Sequence, residues 1–252
     1  MNRNASRFLC AVFGVGALSP CVLHAADGDG GWEALAFEDG VRVFRKEVPG
    51  SDLVAFRGVT TIEAPATKVF SVLMDDARRT EWVDRLACSR ILEAVGPYEY
   101  VIYQHFELPF FISDRDYVYR GKARRLADGR VELVMKSEEH PRAPPTVGVR
   151  AQLLRSRYLL TPLGERRTRV EVEIHTDPCG LLPAWLVNSI QESWPVKTLA
   201  GIRRQAHRPD VRPVRLPPLP RASSRGSGPT ARGGGRPRRP AVSSLPAASP
   251  RR

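Results

Sequence analysis

The residues of this chain whose types suit chemistry are mainly arginines and aromatic side chains, and they come in short runs. Arg79 stands three places before Trp82, just past an apolar stripe. A guanidinium there can make bidentate, permanently charged hydrogen bonds to an oxyanion such as phosphate, or it can be a solvated helix-end arginine; both readings are open. Trp82 reads as core or as the wall of a hollow. Arg115 and Asp116 are adjacent at a strand start, so their side chains leave on opposite faces and each needs a polar partner elsewhere, a structural role. Tyr117 follows them, and Arg115 and Tyr117 stand with Arg79 and Trp82 as ligand-binding candidates. Gln104 lies in an otherwise apolar row. An inward amide needs a partner, from a ligand or a buried water, unless it marks the place where the strand leaves the core.

Nothing in the pattern points to turnover. His24, His105, His140, His175 and His207 are scattered, with no acid or nucleophile at a fixed spacing. The nucleophile-elbow, P-loop and HExxH patterns are absent, and so is any zinc-type cysteine or histidine spacing. No catalytic residue, cofactor or metal is expected.

The elements that must position these residues are mostly strands. Val41 to Arg45 has short strand character and ends at Pro49-Gly50. Leu53 to Glu63 places Val54, Phe56 and Ile62 on one face. Pro65 opens a helix with Val69, Val72 and Leu73 as its buried stripe. Tyr98, Tyr100, Ile102, Gln104, Phe106 and Leu108 share a face, which puts His105 and Glu107 on the solvent side. Arg115 to Ala123 is a strand, Val131, Leu133 and Met135 alternate with Arg130, Glu132 and Lys136, and Val149 to Leu160 pairs with Arg169 to Ile174. The predicted order is two strands, a helix, about five strands and a long final helix. Hairpin-length links make the sheet antiparallel, so the fold class is α+β.

The final helix is the stretch Leu181 to Ala206. Pro183 suits its first turn, and Leu182, Leu186 and Ile190 recur at four-residue spacing, with Trp185, Trp194, Leu199 and Ile202 widening the stripe. Pro195 removes a backbone donor and predicts a mid-helix kink. Trp185, Asn188 and Trp194 are candidates to line a lid or tunnel, or else are plain core. A curved sheet wrapped round such a helix can leave an apolar hollow between them, where small ligands bind.

Both ends differ from the middle. Arg3 and Arg7, the small apolar run Phe8 to Leu18 and the small residues Ala25 and Ala26 form a secretory-signal pattern over 1–26. Export to the periplasm or the medium is therefore expected. Cys10 and Cys21 would leave with that segment, which leaves Cys88 and Cys179; export would permit a disulfide between them, but two cysteines so far apart in the chain are more often unpaired. Residues 208–252 carry 11 arginines against the single Asp210 and 10 of the 22 prolines, a composition that cannot build a core; a disordered tail is expected. Between them, 27–207 holds equal numbers of basic and acidic residues, so the +12 net charge belongs to the ends and gives no ground for specific nucleic-acid binding. The tail can draw toward anionic lipid at roughly 1 kcal/mol per charge, giving transient contact with a membrane surface, or it can do no more than stay solvated.

Three segments in this middle carry a resemblance. Asp75 to Trp82 (DDARRTEW) resembles the D-x-x-x-R-x-x-W segment of START domains, the steroidogenic-acute-regulatory-related lipid-transfer family. Leu108 to Tyr119 resembles the strand of that family that carries R-D-Y/F-V. Cys179 to Asn188 (CGLLPAWLVN) is similar to the start of its last helix. The three occur in the family's order over Trp32 to Arg204, with the nearest likeness to its phosphatidylcholine carriers. The resemblance implies a helix-grip fold, a curved antiparallel sheet around a C-terminal helix, and an internal cavity. It implies binding or transfer of one phospholipid, sterol-like or other hydrophobic molecule by a monomer, without catalysis, and it makes Arg79 the match of an arginine that contacts lipid phosphate. In those carriers an acid follows the tryptophan; here Val83 stands there and Asp84 one place later, against choline selectivity. The rival reading on the same scaffold is a cyclase or aromatase acting on a polyketide, which would need an acid/base pair in the cavity.

Overall fold

A computed structural model of the chain describes residues 30–109 and 112–220. The signal-like segment, the Phe110-Phe111 pair and the tail beyond Pro220 lie outside the described residues. Three strands come first, β1 (Glu33–Glu38), β2 (Val41–Lys46) and β3 (Ala55–Ile62), then helix α1 (Ala66–Met74) and a 3-10 turn at Arg79–Glu81. Seven strands follow: β4 (Leu86–Gly96), β5 (Glu99–Phe106), β6 (Arg115–Arg125), β7 (Val131–Ser137), the two-residue β8 (Val149–Arg150), β9 (Gln152–Pro162) and β10 (Thr168–Asp177). Helices α2 (Ala184–Glu192) and α3 (Trp194–His207) close the domain.

The strands form one sheet in the order β1-β2-β3-β10-β9-β7-β6-β5-β4, antiparallel throughout except for β8, which pairs parallel to β6. This is the helix-grip architecture. Its inner face carries Val131, Leu133 and Met135 of β7, Tyr158 and Leu160 of β9, and Val170 and Val172 of β10, all buried with α1 and α3 in one core. The alternation seen in the sequence is this inner face.

Two strands escaped the sequence reading, β1 and β4. Both lie at sheet edges, and both carry bulges, one in β1 and three in β4. A bulge puts two residues opposite one and breaks the period-two pattern that makes a strand legible. The outer face also departs from expectation. Leu92, Val101, Tyr103 and Val118 are buried there under the segment that carries Ala143. His105, expected on the solvent side, is mostly covered and its Nε2 lies 3.0 Å from Asp114 Oδ2. Glu132, expected on a polar face, is buried between Arg157 and Arg124, at 2.7 and 2.6 Å.

The long final helix is broken rather than bent. The break falls at Ser193, and Pro195 occupies the first turn of α3, where its missing donor costs nothing. α3 then lies directly on the sheet. A Cβ at Gly58 would come within 2.7 Å of Pro195 Cβ and 2.9 Å of Leu199 Cδ1, and one at Gly201 would run into the Trp82 carbonyl. Those two glycines set how close the helix can come. The chain does not leave the domain at Arg208 as expected. Val211 is buried in the core, and the Tyr98 hydroxyl donates to the Arg215 and Leu216 carbonyls at 3.4 and 3.3 Å. The segment 208–220 is part of the folded unit because its few apolar residues find a groove beside β5.

Candidate ligand cavity

Between the inner sheet face and α2 lies a cavity of about 540 Å³. That falls within the roughly 300–1,000 Å³ of small-molecule sites. Its wall is largely apolar, with Phe106, Leu108 and Ile112 at one end, Met135, Leu153 and Ile174 on the sheet, and Leu182, Leu186, Val187 and Ile190 from α2 and the segment before it.

Six of the eight residues singled out from the sequence line this cavity: Arg79, Trp82, Gln104, Arg115, Tyr117 and Trp194. Arg79 is 7% exposed, which rules out the solvated reading. Its Nη2 donates to the Leu73 carbonyl at 2.8 Å, and its Nε stands 3.2 Å from Asp76 Oδ1. Gln104 is also buried, so it does not mark the exit of its strand. Its Nε2 donates to Ser89 Oγ at 3.2 Å, and Ser89 Oγ donates in turn to Asp76 Oδ1 at 2.6 Å. A polar chain therefore runs from Gln104 to Arg79 behind the wall, through Ser89 and Asp76. Trp82 satisfies both of its readings, being 5% exposed, part of the core and part of the wall.

Arg115 reaches the cavity but its guanidinium is committed. Nε donates to the Pro178 carbonyl at 2.7 Å, Nη2 to Cys179 O at 3.1 Å, and Nη1 to Ser113 O. It ties the start of β6 to the approach to α2, so its candidacy as a ligand contact gives way to the structural role. Asp116 on the opposite face receives Arg150 Nε at 2.7 Å, Thr146 Oγ1 at 2.9 Å and the Val147 N–H at 3.1 Å. Burial pushes its carboxyl up, but these donors outweigh that and hold it below the usual carboxylate range.

Two candidates fail. Trp185 is 72% exposed and faces away from the cavity. Asn188 is spent on the backbone: its Oδ1 accepts from the Val54 N–H and its Nδ2 donates to Asp52 O, both at 3.1 Å. Helical spacing placed both on a stripe, but α2 buries only Val187 fully, so the face of a residue on it decides its role.

Among the cavity residues that sequence reasoning missed are Tyr119, Ser156 and Tyr158. Each lies on the inward phase of its strand, and Ser156 breaks an apolar row just as Gln104 does, a signal that was available. Burial pushes the Tyr119 hydroxyl up to about 12 and the Tyr158 hydroxyl higher still, against the pull of the nearby Arg79 charge. Both stay protonated donors. Among the described residues no three His, Cys, Asp or Glu side chains are arranged to hold a metal ion, and Cys88 and Cys179 are both free.

A curved antiparallel sheet, a broken helix across it and an apolar pocket with a few inward polar groups define a small-molecule-binding protein of the helix-grip kind. Comparison with known proteins gives the family. The START domain profile matches residues 19–208, and the chain belongs to that family. An uncharacterized protein of Pseudomonas aeruginosa is 29% identical over 177 residues, spanning 70% of this chain and 87% of that one. The phosphatidylcholine transfer protein of Bos taurus is 28% identical over 162 residues, 62% of this chain and 75% of the other. The solved STAR-related lipid transfer protein from Xanthomonas axonopodis superposes with a TM-score of 0.64 at 27% identity, over 71% of this chain and 99% of that structure.

Proposed function

We propose that the protein takes one hydrophobic molecule, a lipid or a similar compound, into this cavity and carries or senses it without changing it. The observation that carries this reading is the apolar hollow of about 540 Å³ beneath α2, with a short polar chain at one wall. The mechanism is desolvation, worth ~25 cal/mol per Å² of apolar ligand surface removed from water. Helix α2 is the natural gate, since it is held by few buried side chains and ends at the Ser193 break.

Absence of turnover is supported by the lining. Among the described residues it holds no histidine, and its one carboxylate, Asp84, is paired with Lys197 Nζ at 2.9 Å. Brief contact with a membrane surface is supported by Leu181, which is fully exposed, and Trp185 beside it. The same reading makes the protein a monomer, exported by the signal-like segment 1–26. Exported material should begin near Ala26 or Asp27 by N-terminal sequencing. Native mass spectrometry of the purified chain, followed by solvent extraction, should show one lipid-sized adduct. A chain that never retains or takes up a hydrophobic molecule would end the carrier reading.

A further inference from the structure

The polar atoms of the cavity wall narrow the chemistry of its occupant, and this inference rests on the carrier reading above. Three buried side-chain atoms among the described residues lack a hydrogen-bond partner: Arg79 Nε, Ser156 Oγ and Gln191 Oε1. All three residues line the cavity. Tyr119 and Tyr158 line it too, and among the described residues neither hydroxyl has a hydrogen-bonding partner. Folded proteins leave few such atoms, because each gives up its bonds to water without replacement. Three around one hollow, with two unpartnered tyrosine hydroxyls beside them, mark a surface that a ligand's polar end would satisfy.

The Arg79 charge at that surface is already balanced. Arg79 Nε is 3.2 Å from Asp76 Oδ1, close enough to pair charges yet not aligned for a hydrogen bond, so its N–H remains available. Asp76 is held in place by Ser89. An anionic head placed beside the Arg79–Asp76 pair would add an uncompensated charge to a buried site, which is costly. An ammonium head finds no free carboxylate there, because Asp84 is paired with Lys197 and no other carboxylate lines the cavity among the described residues. The hydroxyls of Tyr119, Tyr158 and Ser156 and the Arg79 N–H are all able to donate, and Gln191 Oε1 alone can only accept, so the matching group is an acceptor oxygen, with a hydroxyl able to serve Gln191 as well.

We propose that the cavity is built for an uncharged lipid, a single apolar body ending in hydroxyl or carbonyl oxygens received by Arg79, Tyr119, Tyr158 and Ser156, and not for a phosphocholine head. This separates the chain from the phosphatidylcholine transfer protein it resembles, at the one place where the two would have to agree.

The test uses the delipidated full chain and four probes read by native mass spectrometry: oleyl alcohol, monoolein, oleate at neutral pH, and dioleoylphosphatidylcholine vesicles. Oleyl alcohol and monoolein should form one-to-one complexes, with oleate and the phospholipid about tenfold weaker or more. Tyr158→Phe, Tyr119→Phe and Ser156→Ala keep the shape of the wall. Each should weaken oleyl alcohol about 3- to 10-fold while leaving octadecene, which has no oxygen, unchanged. Uptake of oleate or phosphatidylcholine equal to or tighter than oleyl alcohol would overturn the uncharged-head assignment and leave the carrier reading standing. Equal loss of octadecene in the variants would also overturn it, because the hydroxyls would then be merely structural. Failure of all four probes would remove the carrier reading itself.

Discussion

Helices α2 and α3 come from one amphipathic stretch of sequence, and they do opposite things. Past its first turn, where Trp194 and Lys197 still line the cavity, α3 closes on the sheet. Leu199 and Ile202 are 0% exposed, and Gly58 and Gly201 let its backbone approach where any side chain would collide. α2 stands off. Only Val187 is fully buried, Ile190 is half exposed, and the inward residues Leu186, Val187 and Ile190 face the cavity. What fastens α2 is polar: Asn188 to the 52–54 backbone, and Gln191 Nε2 to the Thr176 carbonyl at 3.4 Å. The difference shows how one motif builds both a core and a pocket. Gly58 on the sheet and Gly201 on α3 itself let that helix close, whereas α2 stays away from the sheet and leaves the hollow.

The comparison makes stability predictions, the largest first. Gly201→Val should drive a branched side chain into the Trp82 carbonyl and cost ~3 kcal/mol, a fall of about 10 °C in Tm by calorimetry. Leu199→Ala should cost roughly 2–5 kcal/mol, whereas Ile190→Ala on the other helix should stay within about 0.5 kcal/mol. Equal losses for these two would show that α2 is as much a part of the core as α3. A third substitution, Asn188→Ala, removes both bonds to the 52–54 segment. It should cost about 1 kcal/mol, confined to α2, and raise amide exchange there and ligand release together while α3 exchanges as before. Exchange spreading equally through α3 would break the division between the helices.

How much of this was legible follows from which signals are local. The alternation of Val170, Val172 and Ile174, the α1 stripe and the position of Pro195 are read from neighbours a few residues apart, and the fold follows them. Gln104 was legible for the same reason, as a polar break in an apolar row. β4 was not, because three bulges erase its period. Trp185 and Asn188 were misplaced because a stripe says which residues share a helix face, not how far that face lies from the sheet. That distance depends on Gly58 and Gly201, 143 positions apart in the chain. The packing of 208–220 was hidden by composition, since one valine and one leucine among prolines and arginines suffice to seat it beside Tyr98.

The smallest expected effect tests whether α2 alone is the loose member. His175 lies on β10 opposite Arg155, its Nε2 3.5 Å from Ser51 Oγ in the segment that Asn188 grips. Burial lowers its ring below the ordinary histidine range, although the Leu53 backbone and Asp177 pull the other way. A depressed folded value means that the neutral ring contributes stability fully above the unfolded value of roughly 6.5, and that this stability is lost as pH falls through the folded value. Acidification should therefore loosen the 51–54 segment first, and α2 through Asn188. Amide exchange corrected for its intrinsic pH dependence should rise modestly in α2 between pH 7.5 and 5, with α3 unchanged, and His175→Gln should flatten that rise. If α3 loosens in step, the two helices open as one body, and the gate is the whole C-terminal segment instead of its first half.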